Sequence, residues 1–66
     1  MIKWHYHILD ANDTILHDSK KGIAKKGFDD IVEASEDGEL IREMKYPGKP
    51  YYVKVYPEEI LPETHN

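Results

Sequence analysis

The chain has 66 residues and contains no cysteine. It can therefore form no disulfide, no cysteine-ligated zinc site and no thiol nucleophile. Long apolar runs are also missing, and residues 1–6 lack the basic start and the apolar stretch of a signal peptide. We therefore expect a cytoplasmic protein that does not enter a membrane.

The short length limits what the chain can bury. It is enough for one domain, and a domain of this size buries only about 60% of the surface of its unfolded chain. Little room is left for a buried active site. We expect a single domain over residues 1–57, followed by a C-terminal tail over residues 58–66.

Charge is distributed unevenly along the chain. Residues 1–27 carry five lysines and three aspartates, whereas residues 28–43 carry seven acids and a single arginine. Residues 44–66 are balanced, so the formal net charge of −4 comes from one acidic block in mid-chain. Such a block repels nucleic acid and attracts basic protein surfaces. Direct binding of nucleic acid is therefore not expected.

Residues 2–9 alternate in the way that a half-buried strand does. One face carries Ile2, Trp4, Tyr6 and Ile8, and the other carries Lys3, His5, His7 and Leu9. Asp and Asn residues at positions 10–13 favour a turn. Residues 14–17 are predicted to return as a short antiparallel strand, with Ile8 opposite Ile15.

Residues 28–37 are predicted to form a helix. Asp29 and Asp30 fall in its first turn, where the helix dipole favours acids, and Gly38 is typical of the position just past a helix end. The side chains expected to face the core are Phe28, Ile31, Val32 and Ser35. The basic segment 19–27 is compatible with a loop or with a helical turn.

Residues 40–46 and 51–56 are predicted to form a second hairpin around the turn at residues 47–50. Pairing Tyr46 with Tyr51 gives this hairpin one apolar face. The complete pattern predicts an α+β fold in ββαββ order, with one helix packed on one face of an antiparallel four-stranded sheet.

The C-terminal region is expected to leave the sheet at Pro57, because proline cannot donate to a strand ladder. Ile60 and Leu61 are then expected to dock on the sheet. The last four residues are expected to fray.

The sequence contains no motif typical of catalysis or metal binding. His5 and His7 share a strand face, a spacing that can bind zinc, but further ligands are not in place. His17 has acids nearby in a turn-rich segment, which is common without catalysis. The lysines of residues 20–26 are the one candidate phosphate contact, and no Gly-x-x-x-x-Gly-Lys-Ser/Thr motif surrounds them. We expect no metal, no cofactor and no enzymatic activity.

The acidic helix favours a function in protein binding. Its outward carboxylates would lie about 5–6 Å apart, close to the spacing of phosphates along a nucleic-acid strand. These side chains are Asp29, Asp30, Glu33, Glu36 and Asp37. An uncovered outer sheet face is the second candidate surface, with the residues Leu9, Leu16, Ile41, Tyr52 and Tyr56. Tyr52 and Tyr56 are its expected contacts. The predicted partner is a protein with a basic surface.

In size and acidity the chain resembles small phage-encoded inhibitors of bacterial defence systems, among them anti-CRISPR and anti-restriction proteins. This resemblance implies an inhibitor that acts in the host cytoplasm, by covering a partner's surface or by mimicking nucleic acid.

Two other functions remain open from the sequence. Residues 26–55 resemble the RelE-like ribonuclease toxins, in which a helix packs on an antiparallel sheet. This likeness implies acid/base and phosphate-binding roles for His17, Arg42 and Tyr51. The other function is that of a homodimeric regulatory module that associates through its tyrosine-bearing sheet face, so a monomer and a homodimer are both compatible with the sequence.

Overall fold

The structure is a computed structural model that describes residues 1–61. Its elements are strand β1 (Ile2–Leu9), strand β2 (Ile15–Asp18), a 3-10 turn (Ser19–Lys21), helix α1 (Ile31–Lys45) and strand β3 (Tyr52–Glu59). The strands form an antiparallel sheet in the order β2-β1-β3. The α+β class and the single helix are confirmed, whereas a fourth strand and the ββαββ order are absent from residues 1–61.

The residues predicted to form the third strand lie in the second half of the helix. Residues 40–45, predicted as a strand, continue α1, and the helix runs straight through Gly38. Residues 39–45 contain Glu, Leu, Arg, Met and Lys, which are all good helix formers. Their basic members also suit the helix dipole, because Arg42 and Lys45 occupy the last turn.

The start of α1 also differs from the prediction. Asp30 is the N-cap: its backbone is extended, and its side chain accepts a hydrogen bond of 2.8 Å from the Val32 amide. The helix therefore begins at Ile31. Its buried residues are Ala34 and Gly38, while Ile31 and Val32, predicted to face the core, are exposed.

Strand β1 is central and provides most of the core. Its Tyr6, Ile8 and Leu9 are buried, and Ala34 of α1 completes the set of buried apolar side chains in residues 1–61.

The pairing of β1 with β2 sets Ile8 opposite His17 and Leu9 opposite Ile15, with a bulge between them. The predicted pairing of Ile8 with Ile15 is therefore wrong: the turn sets Asp10 against Thr14, which shifts the register by one residue, and the bulge in β2 shifts it by another.

Strand β3 pairs with β1 along its whole length, from Ile2 opposite Glu59 to Leu9 opposite Tyr52. Pro57 lies inside this strand and does not end it. Trp4 exchanges both backbone hydrogen bonds with Phe28 on the other side of β1. By alternation the backbone of Pro57, opposite Trp4, faces outward from the sheet edge, where a missing N–H costs no hydrogen bond.

The connecting segments follow local backbone preferences. Asp10 accepts hydrogen bonds from the amides of Asn12 and Thr14 and so builds the turn before β2. Gly48 has a φ of +82° in the connection between α1 and β3, as expected for this turn. Residues 22–26 form turns after the short 3-10 segment, which answers the question left open for residues 19–27.

At the C-terminal end, Ile60 donates its backbone N–H to the carbonyl of Met1. Ile60 and Leu61 are exposed, so the chain extends the sheet edge here without docking its side chains. The prediction of a frayed end lies outside the described residues. Within residues 1–61, no helix has both the length and the apolar character needed to span a bilayer.

Candidate functional site

The most exposed apolar side chains of α1 lie on its outer surface. Leu40 is 56% exposed and Met44, one turn further on, is 69% exposed. Glu33 and Glu36 precede them at a spacing that places all four on one side of the helix. We call Glu33, Glu36, Leu40 and Met44 the outer helix stripe. It presents two carboxylates beside two apolar side chains.

The five predicted acidic contacts have different roles in the structure. Asp29 pairs with Lys3, Asp30 caps the helix, and Asp37 accepts a hydrogen bond of 2.8 Å from the Tyr6 hydroxyl. The prediction that Asp37 faces outward is therefore wrong. Glu33 and Glu36 are exposed and make no ion pair within residues 1–61. The five acids do not form one regular ladder.

Tyr52 and Tyr56 share the sheet face opposite the helix. The Tyr56 ring lies 5.6 Å from that of His5 and 4.5 Å from that of His7, and its hydroxyl donates to Asp18. Burial and this hydrogen bond raise the pKa of Tyr56. The Tyr52 hydroxyl donates to Asp13. Both tyrosines are thus engaged within the chain, which leaves them less free to bind a partner.

A cleft of about 410 Å³ opens on this face beside the tyrosines. Leu9 lines it together with Tyr52 and Tyr56, so three of the five residues predicted for the outer sheet face do lie together. Ile41 does not belong to this face, because it lies in α1 and lines a different cleft. The reason is the longer helix, which replaces the predicted third strand.

His5 and His7 point to the same face, as predicted, but each lies beside a different acid. His5 Nε2 is 3.4 Å from Glu58 Oε1, and His7 Nε2 is 3.4 Å from Asp18 Oδ2. Within the described part of the chain, no group of three or more His, Asp or Glu side chains is arranged to hold a metal ion.

Lys20 connects the 3-10 turn to β3 through an ion pair with Glu58. Its hydrogen bond is the main cause of the lowered pKa of Glu58. Lys20, the first lysine of the basic segment, therefore serves the fold and is not free to bind an external anion.

The His5 ring beside Glu58 is only 1% exposed, and neither of its nitrogens makes a hydrogen bond.

A second cleft, of about 320 Å³, lies between α1 and the turns at residues 22–24. Its polar lining residues are Tyr6, His17, Ser19, Asp37 and Lys45. Sequence reasoning missed this group, since its members come from four separate segments with no common spacing. The one available signal was the alternation of β1, which places Tyr6 on the face that the helix covers.

His17 is the titratable group of this cleft whose ordinary pKa, 6.5, lies closest to neutral. Its ring lies 5.9 Å from that of Tyr6. Burial, followed by the positive charge of Lys45, lowers its pKa despite the opposing effect of Asp18 and Asp37. The folded chain therefore holds His17 in its neutral form over a wider pH range than the unfolded chain does.

This shift predicts a pH dependence of stability. The unfolded chain binds a proton at His17 near pH 6.5, before the folded chain does, so the contribution of His17 is fully present above about pH 6.5 and is lost as the pH falls through the lowered pKa. Thermal unfolding of the wild type and of His17→Gln, measured between about pH 5 and pH 7.5, isolates the effect. The variant should lose less stability on acidification, and equal pH slopes would contradict the assignment.

The residues implied by the likeness to ribonuclease toxins do not share one cleft. Arg42 and Tyr51 line a shallow cleft near residues 47–49, whereas His17 lines the cleft beside residues 22–24. Arg42 is also paired with Glu39 at 3.1 Å and with Glu43 at 3.8 Å. A phosphate would have to compete with these two carboxylates for the guanidinium group.

Comparisons of the chain with protein-family models, with curated proteins and with solved structures find no significant match.

Proposed function

We propose that the chain is a small acidic protein-binding inhibitor that docks its outer helix stripe onto a partner and thereby covers the partner's surface. The observation that supports this proposal is the exposure of Leu40 and Met44, 56% and 69%, beside two unpaired glutamates of residues 1–61. Apolar side chains four residues apart are the usual anchors of a helix that binds in a groove.

The glutamates add charge selectivity to this contact. Exposed carboxylates around an apolar centre steer the approach of a basic surface and raise the association rate. Proteins that bind nucleic acid carry basic surfaces of this kind. A phage-encoded inhibitor of a host defence protein, acting in the cytoplasm, is the version of the proposal that suits this chemistry.

Covering a surface is better supported than mimicry of nucleic acid. Mimicry needs a row of free carboxylates, whereas Asp29, Asp30 and Asp37 are engaged in an ion pair, a helix cap and a hydrogen bond. The apolar centre of the stripe has no counterpart in a row of phosphates. We therefore propose contact through Leu40 and Met44, with the glutamates at the rim.

The partner can be captured from the source cells, or from their virus-infected host, and identified by mass spectrometry. Its affinity for purified variants is then measured by calorimetry. Leu40→Ala should weaken binding about tenfold, as expected for a central apolar anchor. Glu36→Lys should weaken it about fivefold, with the larger effect at low salt.

Glu59→Lys is the matched control, because it makes the same charge change at the exposed last residue of β3, outside the outer helix stripe. It should leave the affinity within about twofold of the wild type, as a charge outside the contact has little effect on binding. If Glu36→Lys and Glu59→Lys weaken binding equally, the outer helix stripe is not the docking surface.

A further inference from the structure

The basic segment after β2 presents charges that the fold does not use. Lys21, Lys25 and Lys26 are exposed, and none of them has a carboxylate within ion-pair distance in the described part of the chain. Ile23 lies between them and is 106% exposed, so its side chain is fully in solvent. We call Lys21, Ile23, Lys25 and Lys26 the basic patch.

This basic patch is the chemical complement of the outer helix stripe. The stripe exposes Leu40 and Met44 and the patch exposes Ile23, and the patch carries lysines where the stripe carries glutamates. Exposed apolar side chains gain about 25 cal/mol for each Å² removed from water, and opposite charges at the rim select the orientation. The outer helix stripe is therefore suited to bind a surface with the composition of the basic patch.

The two surfaces also lie close to each other on the molecule. Residues 22–24 line one side of the cleft of about 320 Å³, and Asp37, Ile41 and Lys45 of α1 line the other. Met44 is adjacent to Ile41, three residues before it, on the helix surface. Two copies related by a twofold axis can therefore place each basic patch against the other copy's stripe, in one closed and reciprocal contact.

We propose that the ligand of the outer helix stripe includes a second copy of this chain, bound through its basic patch. This inference depends on the proposed function, since it uses the same stripe. Self-association would cover Leu40, Met44 and Ile23 in both copies. It would also compete with any other partner, so the free stripe would be available mainly at low protein concentration.

Analytical ultracentrifugation tests self-association directly. At about 0.1 M salt, where the Debye length is about 10 Å, the wild type should form dimers as its concentration rises; at about 1 M salt, where the length is about 3 Å, it should return towards monomer. A wild type that stays monomeric up to about millimolar concentration at low salt would overturn the proposal.

Charge exchange between the two surfaces gives the decisive comparison. The variants Lys25→Glu/Lys26→Glu and Glu33→Lys/Glu36→Lys should each associate at least about tenfold more weakly than the wild type, because each repels its own copy. Mixed in equal amounts, they should form a heterodimer, since both of its contacts then join opposite charges, one with the wild-type signs and the other with the signs reversed. A mixture as weakly associated as its components would contradict the reciprocal contact.

Lys49→Glu/Lys54→Glu is the matched control, with the same charge change at exposed positions outside the basic patch. It should dimerise like the wild type, and a loss equal to that of Lys25→Glu/Lys26→Glu would mean that only net charge matters. The proposed function is tested separately with Lys25→Glu/Lys26→Glu, in which the stripe is intact. This variant should keep its affinity for a foreign partner even if self-association fails.

Discussion

Replacement of Gly38 by alanine is expected to destabilise the fold by about 2 kcal/mol, although alanine is the better helix former by about 1 kcal/mol. Gly38 is buried where α1 crosses the sheet. A Cβ atom there would lie 2.7 Å from Val53 Cγ1 and 3.1 Å from two ring carbons of Tyr6. These distances are too short for carbon atoms, so the helix would have to move away from the sheet.

Thermal unfolding measures this effect, and 1 kcal/mol lowers the midpoint of so small a domain by about 4–8 °C. Gly22→Ala is the control, because nothing lies within 4 Å of the position its Cβ would occupy and its φ is −126°. It should change stability by less than about 0.5 kcal/mol. A Gly38→Ala variant as stable as Gly22→Ala would mean that the helix does not approach the sheet this closely.

A double-mutant cycle with Val53→Ala tests the cause. Removing the two methyl groups of Val53 takes away the nearest atom to the new Cβ. The Gly38→Ala change should therefore cost at least about 1 kcal/mol less in the Val53→Ala background. Additive costs would show that the Val53 side chain is not the obstacle.

Replacement of Gly27 by alanine is expected to be the most damaging of the small substitutions, at about 3 kcal/mol. Two effects add. The φ of Gly27 is +82°, and an alanine there costs about 1–2 kcal/mol of backbone strain. In addition, its Cβ would lie 2.9 Å from Lys3 Cβ and 2.9 Å from His5 Cε1, an overlap with a further cost of about 1–3 kcal/mol.

Gly48→Ala separates the two effects. Gly48 has the same φ of +82°, but nothing lies within 4 Å of its would-be Cβ. Its replacement should cost only the strain, about 1–2 kcal/mol. The difference between the two variants, measured by urea unfolding, reports the overlap with His5 and Lys3, and equal losses would contradict the close approach of residue 27 to β1.

The candidate site was only partly readable from the sequence. The acidic character of α1 and the shared face of Tyr52 and Tyr56 followed from spacing. The inward role of Asp37 did not, because it depends on Tyr6, which lies 31 residues earlier in the chain. The exposure of Leu40 and Met44 on one side of α1 was not predicted either, because residues 40–46 were expected to form a strand and not to continue the helix.

The sequence by itself determined the α+β class, the first strand with its two faces, and the turns at residues 10–13 and 47–50. These features depend on local spacing and on the backbone preferences of Asp, Asn, Gly and Pro, which act over a few residues. Only the tertiary structure decided where the helix ends, and with it the number of strands. Gly38 followed by Glu39-Leu40-Ile41 is locally compatible with a helix end and a new strand. The helix continues because a residue without a side chain lets α1 pack against Tyr6 and Val53, a contact between segments that no local pattern encodes.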